Sequence, residues 1–160
     1  YIYVMKKLLL LFIPLMSFGQ EISFDEIMSI NSLDTFKRVV IENSFEFSNG
    51  DNYITYGYKL DTNKKGVEVA SKWASYDKEF GNFLFQFIKD GLFTDLEFNR
   101  IVSDIKSKCE YFEINDEYVT YNCPDSSFDG QIGFKTSEGS GFVVMFPVID
   151  FASLEKDSLR

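Results

Sequence analysis

The residues best placed to do chemistry are few. Two cysteines, Cys109 and Cys123, bracket the segment CEYFEINDEYVTYNC. Folded as an antiparallel hairpin about Asp116, which is equidistant from both, the segment sets the two thiols opposite one another, a geometry that suits a cross-strand disulfide. Closing so short a loop stabilises a fold by about 3 kcal/mol in the chain-entropy model. The spacing is not the C-x-x-C of a redox couple, and the chain holds no further cysteine and no histidine to complete a metal site. The pair is therefore expected to be structural, and neither a metal nor another cofactor is expected.

The lack of histidine removes the usual Ser-His-Asp and Cys-His nucleophile systems and the commonest general base near neutral pH. Carboxylate pairs remain, as in glycoside hydrolysis. Asp116, Glu117, Asp125 and Asp129 cluster around the cysteine hairpin, although turns attract aspartate for conformational reasons. Asp61-x-Asn63-x-Lys65-Gly66 opens like a calcium loop, but Lys65 and then Lys72 stand where acids are needed, so a polar turn between strands is the better reading. DSSFDG at 125–130 could bind calcium weakly in an exported protein, but a turn is again the better reading. Ser137–Gly141, SEGSG, precedes a strand rather than a helix and so lacks the amides of a phosphate loop.

The start of the chain speaks to compartment. Met5 is followed by Lys6 and Lys7, then by the apolar run LLLLFIPLM from Leu8 to Met16, then by Ser17-Phe18-Gly19. Basic, apolar and small-x-small in that order is the pattern of a secretory signal cut before Gln20, and the apolar run is too short to span a bilayer. The expected product is exported and soluble, in the periplasm or outside the cell, with no stable membrane anchor. An oxidising space also suits the cysteine pair. Removing residues 1–19 takes away two lysines and no acid, which turns a net charge of −9 into −11. Such a surface repels phosphate backbones, so nucleic acid is not an expected partner.

The remaining sequence reads as alternating helix and strand patterns. Ser23-Phe24-Asp25-Glu26 has capping-box spacing, Asn31-Ser32 interrupts, and Leu33, Phe36, Val39 and Val40 fall at helical intervals. Strands are expected at 44–48, 53–60 (Ile54, Tyr56, Tyr58 and Leu60 on one face), 67–76 and 82–89, where Phe83, Phe85 and Phe87 share a face. The order then repeats. Thr94-Asp95-Leu96-Glu97 has capping-box spacing, Phe98, Ile101, Val102 and Ile105 form a helical stripe, and strands follow at 109–114, 118–123, 131–136 and 141–149. At an offset of 65 residues, Phe36 falls on Ile101, Val40 on Ile105 and DNYITY (51–56) on DEYVTY (116–121). The expected fold is α+β: two tandem helix-plus-antiparallel-sheet repeats (α-β-β-β-β twice), 20–90 and 91–150, making one compact domain after the leader 1–19. A charged tail, 151–160, follows.

The stretches MKKLLLLFIPLMSFGQ, EIMSINSLDTFKRVVIENSFEF, YVTYNCPDSS, GQIGF and EGSGF resemble a family of small exported bacterial proteins with no assigned activity, a likeness that carries no functional residue over. In architecture alone, the tandem helix-plus-sheet layout is similar to that of the β-lactamase inhibitory proteins, which bind an enzyme on a concave aromatic sheet. That likeness transfers no site.

Aromatic residues occur at both parities of the strands. Tyr53 and Tyr56 point to opposite sides, as do Tyr118 and Tyr121, and one helical layer covers one side only. The candidate binding surface is Tyr53, Tyr56, Tyr58, Trp73, Tyr118 and Tyr121, although burial in the core is the usual fate of a lone tryptophan such as Trp73. The expected function is non-catalytic binding of an unknown protein or small ligand. A secreted hydrolase with paired carboxylates and a structural subunit of an envelope assembly are the other readings.

Overall fold

The computed structural model describes residues 21–89, 92–115, 117–124 and 126–147. The expected leader (1–19), Gln20, the tail (151–160), Asp116 and Asp125 lie outside them. Helix α1 spans Phe24–Met28 and α2 spans Leu33–Glu42. Both begin where serine can satisfy free amides. The Glu26 amide donates to Ser23 Oγ at 3.2 Å and the Ser23 amide to the Glu26 carboxylate at 2.8 Å. Ser32 and Thr35 exchange the same pair of bonds at the start of α2. Glu26 also accepts from Asn43 Nδ2 at 2.9 Å, which ties α1 to the end of α2. Burial raises the Glu26 pKa, but the bonds from Asn43 and Ser23 outweigh it and hold the carboxyl below its ordinary range. Phe24, Ile27, Met28, Phe36, Val39 and Val40 are all buried, as their spacing predicts.

Among the described residues, eight strands form one antiparallel sheet. They are β1 (Phe45–Asn49), β2 (Tyr53–Tyr58), β5 (Lys72–Asp77), β6 (Phe83–Ile88), β7 (Glu110–Asn115), β8 (Tyr118–Asn122), β9 (Gly130–Ser137) and β10 (Ser140–Pro147). Their order is β1-β2-β5-β6-β10-β9-β8-β7. Each half of the sheet is a meander, and the two meet where β6 pairs with β10. Helix α3 (Leu92–Lys108) connects the halves and packs on β6 and β10, while α2 packs against β1 and α1 against α3. The mixed α+β class with a large antiparallel sheet is as expected.

The three described helices lie on one sheet face. Phe36 meets Tyr56, Phe83 and Phe85 at ring separations of 5.2–6.1 Å, and Phe98 of α3 meets Phe87 at 5.7 Å. Gly141 lies beneath Phe98, where a Cβ would come within 2.8 Å of the ring, so the helix can approach only a bare backbone.

Local expectations fail at three places. The 67–76 strand is broken: Glu68–Val69 (β4) leaves the main sheet to pair with Asp61–Thr62 (β3) in a separate ribbon, and β5 begins at Lys72. Lys59 has φ 54°, which ends β2 and turns Leu60 away from the face of Tyr56 and Tyr58, so that it packs above Gly57 on the other side. Helix α3 starts at Leu92, two residues before Thr94. The Glu97 side chain is buried.

That burial joins three distant segments. Lys72 Nζ donates to both Glu97 carboxylate oxygens at 3.0 Å, and the Ile22 amide donates to Glu97 Oε1 at 2.7 Å. The two charged side chains are 4% and 5% exposed, and the ammonium also sits 4.0 Å from the Tyr58 ring centroid. Burial pushes the Glu97 carboxyl above its ordinary range, against the pull of Lys72 and the Ile22 amide.

Removing one partner, as in Lys72→Met, leaves a buried charge uncompensated and should cost about 3–5 kcal/mol in urea unfolding, whereas Lys72→Met combined with Glu97→Leu should be neutral or stabilising by about 1–4 kcal/mol. With its folded-state pKa raised, Glu97 contributes stability that is complete below the ordinary glutamate range and is lost as pH rises through the raised value. The stability of the wild type relative to Glu97→Gln should therefore fall across that window in a pH series of unfolding curves.

Candidate functional site

The strand register sorts the six candidate rings. Ile54, Tyr56 and Tyr58 of β2 pair with Tyr76, Ala74 and Lys72 of β5 on the helix side. Tyr56 and Tyr121 are buried in the core, Tyr56 against Phe36 and Tyr121 stacked on Phe134 at 5.8 Å. Burial pushes the Tyr56 phenol pKa up. Tyr58 is half-buried between Phe45 and Lys72. These three rings serve the core and are withdrawn from a binding surface. Tyr53, Trp73 and Tyr118 have the other parity and share the face that none of the described helices covers.

Pairing extends that face across the sheet. Gly57, Trp73, Gln86, Phe142 and Lys135 are successive cross-strand partners, and Tyr118 continues the row on β8. Trp73, Phe142 and Tyr118 therefore recur every second strand, about 10 Å apart. Beside this row run shorter residues, Thr55, Ser75, Leu84, Val144, Gly133 and Thr120, and beyond them stand Tyr53 and Phe146.

Glycine accounts for how the large rings fit. A Cβ at Gly57 would come within 3.2 Å of the Trp73 ring, and one at Gly133 within 3.1 Å of the Phe146 ring. Phe146 also meets Tyr118 edge-on at 5.6 Å. Lys135 Nζ lies 4.6 Å from the centre of Tyr118, 5.7 Å from that of Phe142 and 3.5 Å from the Glu117 carboxylate. The face is thus ring-rich, with a hydroxyl-bearing middle and a half-buried cation. Phe142, Phe146 and Lys135 join the six expected candidates only in the folded sheet. Their signal is the strand parity of 140–147, where 142, 144 and 146 oppose 141, 143 and 145.

The cysteines form the expected disulfide, with Cα atoms 4.4 Å apart. The hairpin reaches this pairing by a different route from a turn centred on Asp116. Asn115 pairs with Tyr118, Ile114 with Val119 and Glu113 with Thr120, a register that leads Cys109 towards Pro124. A bulge at Phe112 shifts it by one, so that Tyr111 pairs with Tyr121 and Glu110 with Asn122, and Cys109 then faces Cys123.

Beside the disulfide lies a cleft of about 390 Å3, bounded by Glu110, Asn122, Cys123, Pro124, Ser126, Ser127, Phe128, Asp129 and Gly130. It brings Asp129 and Glu110 to one site. Glu117 lies elsewhere, in the hairpin turn at φ 72°.

The calcium-like segment is a local turn: Asn63 Oδ1 accepts from the Lys65 and Val67 amides at 2.9 and 3.1 Å, and Lys72 is committed to Glu97. No group of three or more potential metal ligands occurs among the described residues. SEGSG is the β9–β10 hairpin, with Gly139 at φ 75°. No helix of the described residues is long and apolar enough to cross a membrane.

Compared with family models, curated proteins and solved structures, the chain matches none.

Because the disulfide staples the edge hairpin, Cys109→Ser with Cys123→Ser is expected to lower unfolding free energy by about 3 kcal/mol. Guanidinium melts of the two proteins measure this, and equal midpoints would show that the cross-link adds nothing.

Proposed function

We propose that this chain is an exported, non-catalytic binding domain that engages its partner through the helix-free face of the sheet. The observation that carries this reading is the gathering of Tyr53, Trp73, Tyr118, Phe142 and Phe146 on one face opposite the helices. Such rings are the side chains most enriched among binding hot spots and cost little rotamer entropy when covered. The leader-like 1–19 segment and the Cys109–Cys123 disulfide support a route out of the cytosol to the periplasm or beyond.

A duplication of one helix-plus-four-strand unit underlies the domain in this reading. At the 65-residue offset, Phe36 and Ile101 are both buried, as are Val40 and Ile105, and Tyr56 and Tyr121. Phe47 and Phe112 are both exposed. The Ser48–Thr55 pairing of β1–β2 matches the Glu113–Thr120 pairing of β7–β8. The offset fails after β2, where the β3–β4 ribbon lengthens the first unit.

Immobilised protein starting at Gln20, with its disulfide intact, should retain a partner from envelope extract or culture medium. Tyr53→Ala and Tyr118→Ala should each weaken that complex more than about tenfold, as hot-spot residues do. Ile41→Ala, on the exposed side of α2, should leave it unchanged. A complex indifferent to both tyrosines contradicts the proposal.

A second reading, hydrolysis by paired carboxylates, is favoured by the meeting of Glu110 and Asp129 in the cleft beside the disulfide. It requires glycoside turnover by the purified protein that Glu110→Gln and Asp129→Asn each abolish. Turnover that survives both substitutions would refute it.

A further inference from the structure

The two edges of the sheet are unlike. At β1, Phe45 and Ser48 are buried, and Ser48 Oγ bonds the Glu68 carboxylate of the β3–β4 ribbon. At β7 all six residues are exposed, with Tyr111 at 61%, Phe112 at 47% and Ile114 at 68%. An outermost strand presents a row of backbone donors and acceptors that no neighbour uses, and native proteins normally shorten, cover or charge such an edge. Here the edge carries three large apolar side chains beside two glutamates and a bulge, the latter two being devices that discourage unselective pairing.

The edge is also held still. The disulfide fixes one end of the β7–β8 hairpin and a tight turn at Glu117 closes the other, so an incoming chain meets a strand already in its paired geometry. Its two sides differ in chemistry. Tyr111 and Ile114 pair with Tyr121 and Val119 and point to the helix side, whereas Glu110 and Glu113 pair with Asn122 and Thr120 and point to the helix-free side. The edge therefore alternates apolar and acidic, with the bulge at Phe112 between the two glutamates.

We propose that β7 accepts an extended segment of a partner protein as a ninth strand, and that this segment alternates lysine or arginine with apolar residues. Its basic side chains face Glu113 and Glu110, its apolar ones face Ile114 and Tyr111, and its backbone completes the ladder. Opposite charges and apolar pairs across strands are the stabilising combinations in a sheet, and strand addition is a recurrent mode of peptide capture. A second copy of this chain is the poorer occupant, because it brings the same two glutamates and the same net negative charge to the junction. The bulge sets the register: the straight end of the strand, Glu113–Asn115, is engaged first, and Glu110 is reached beyond the kink. An added strand also enlarges the helix-free face, but the inference stands on β7 alone and is independent of what that face binds.

The test uses the disulfide-bonded protein, isotope-labelled for amide NMR, and a short capped peptide of alternating lysine and valine. Amide shifts and slowed hydrogen exchange should appear along Glu110–Asn115. Replacing the peptide's lysines with glutamate should weaken binding by about tenfold or more, the sum of two cross-strand charge pairs. N-methylation of alternate peptide bonds should abolish binding by removing the ladder. Glu110→Lys with Glu113→Lys, both at exposed positions, should invert the preference between the two peptides. Four results would each overturn the inference: no binding, equal affinity for both peptides, binding that spares the β7 amides or survives N-methylation, and protection of β7 that rises with protein concentration without peptide, which would assign the edge to a second copy.

Discussion

Side chains along a strand alternate between the two faces of a sheet, and in this chain both alternations carry rings. Phe83, Phe85 and Phe87 take one side of β6, and Leu84 and Ile88 the other. On β2, Tyr56 and Tyr58 oppose Tyr53, and on β10, Val143 and Met145 oppose Phe142 and Phe146. Among the described residues, three helices cover one side. The helix-covered side becomes the core, with Phe36 and Phe98 as its anchors. The other side is a half-buried layer of rings that pack on glycine and on one another. Core and candidate surface are thus two consequences of one pattern.

The helical layer is registered on the sheet by more than apolar contact. Glu97 on α3, Lys72 on β5 and the Ile22 amide ahead of α1 meet in a place where water does not solvate them. A buried ion pair adds little net stability compared with apolar residues of the same size, because desolvation offsets the attraction. It does penalise any arrangement that separates the partners. In this fold it specifies which turn of α3 lies over β5 and where the chain before α1 must run. The disulfide and the Phe112 bulge do the corresponding work at the far end, where the register of a single hairpin decides whether two thiols meet.

Much of this was legible in local spacing. Ser23 and Ser32 mark helix starts because their side chains satisfy amides within three residues. Phe83, Phe85 and Phe87 mark a strand face because the period is two. The opposition of Tyr53 to Tyr56 follows from the same period. Which of the two faces the helices cover does not follow from it: Tyr56 and Tyr121, surface candidates by sequence, are buried in the core. Thr94-Asp95-Leu96-Glu97 has capping spacing, yet its glutamate is claimed by a lysine 25 positions earlier in the chain, a contact without local trace. The bulge at Phe112 and the turn of Leu60 after Lys59 are single-residue departures that no periodicity records. The Glu110–Asp129 cleft depends on how a loop folds back beside the disulfide.

The central claim is that the sheet keeps one aromatic face under the described helices and leaves the other half-exposed to solvent. Proton relaxation of the ring resonances in the presence of a soluble, uncharged paramagnetic chelate tests it directly. The account predicts strong broadening at Tyr53, with measurable broadening at Trp73, Tyr118 and Phe142, while Tyr56, Tyr121 and Phe85 stay sharp. Equal protection of both sets would mean that the second face is also covered, and would contradict the account.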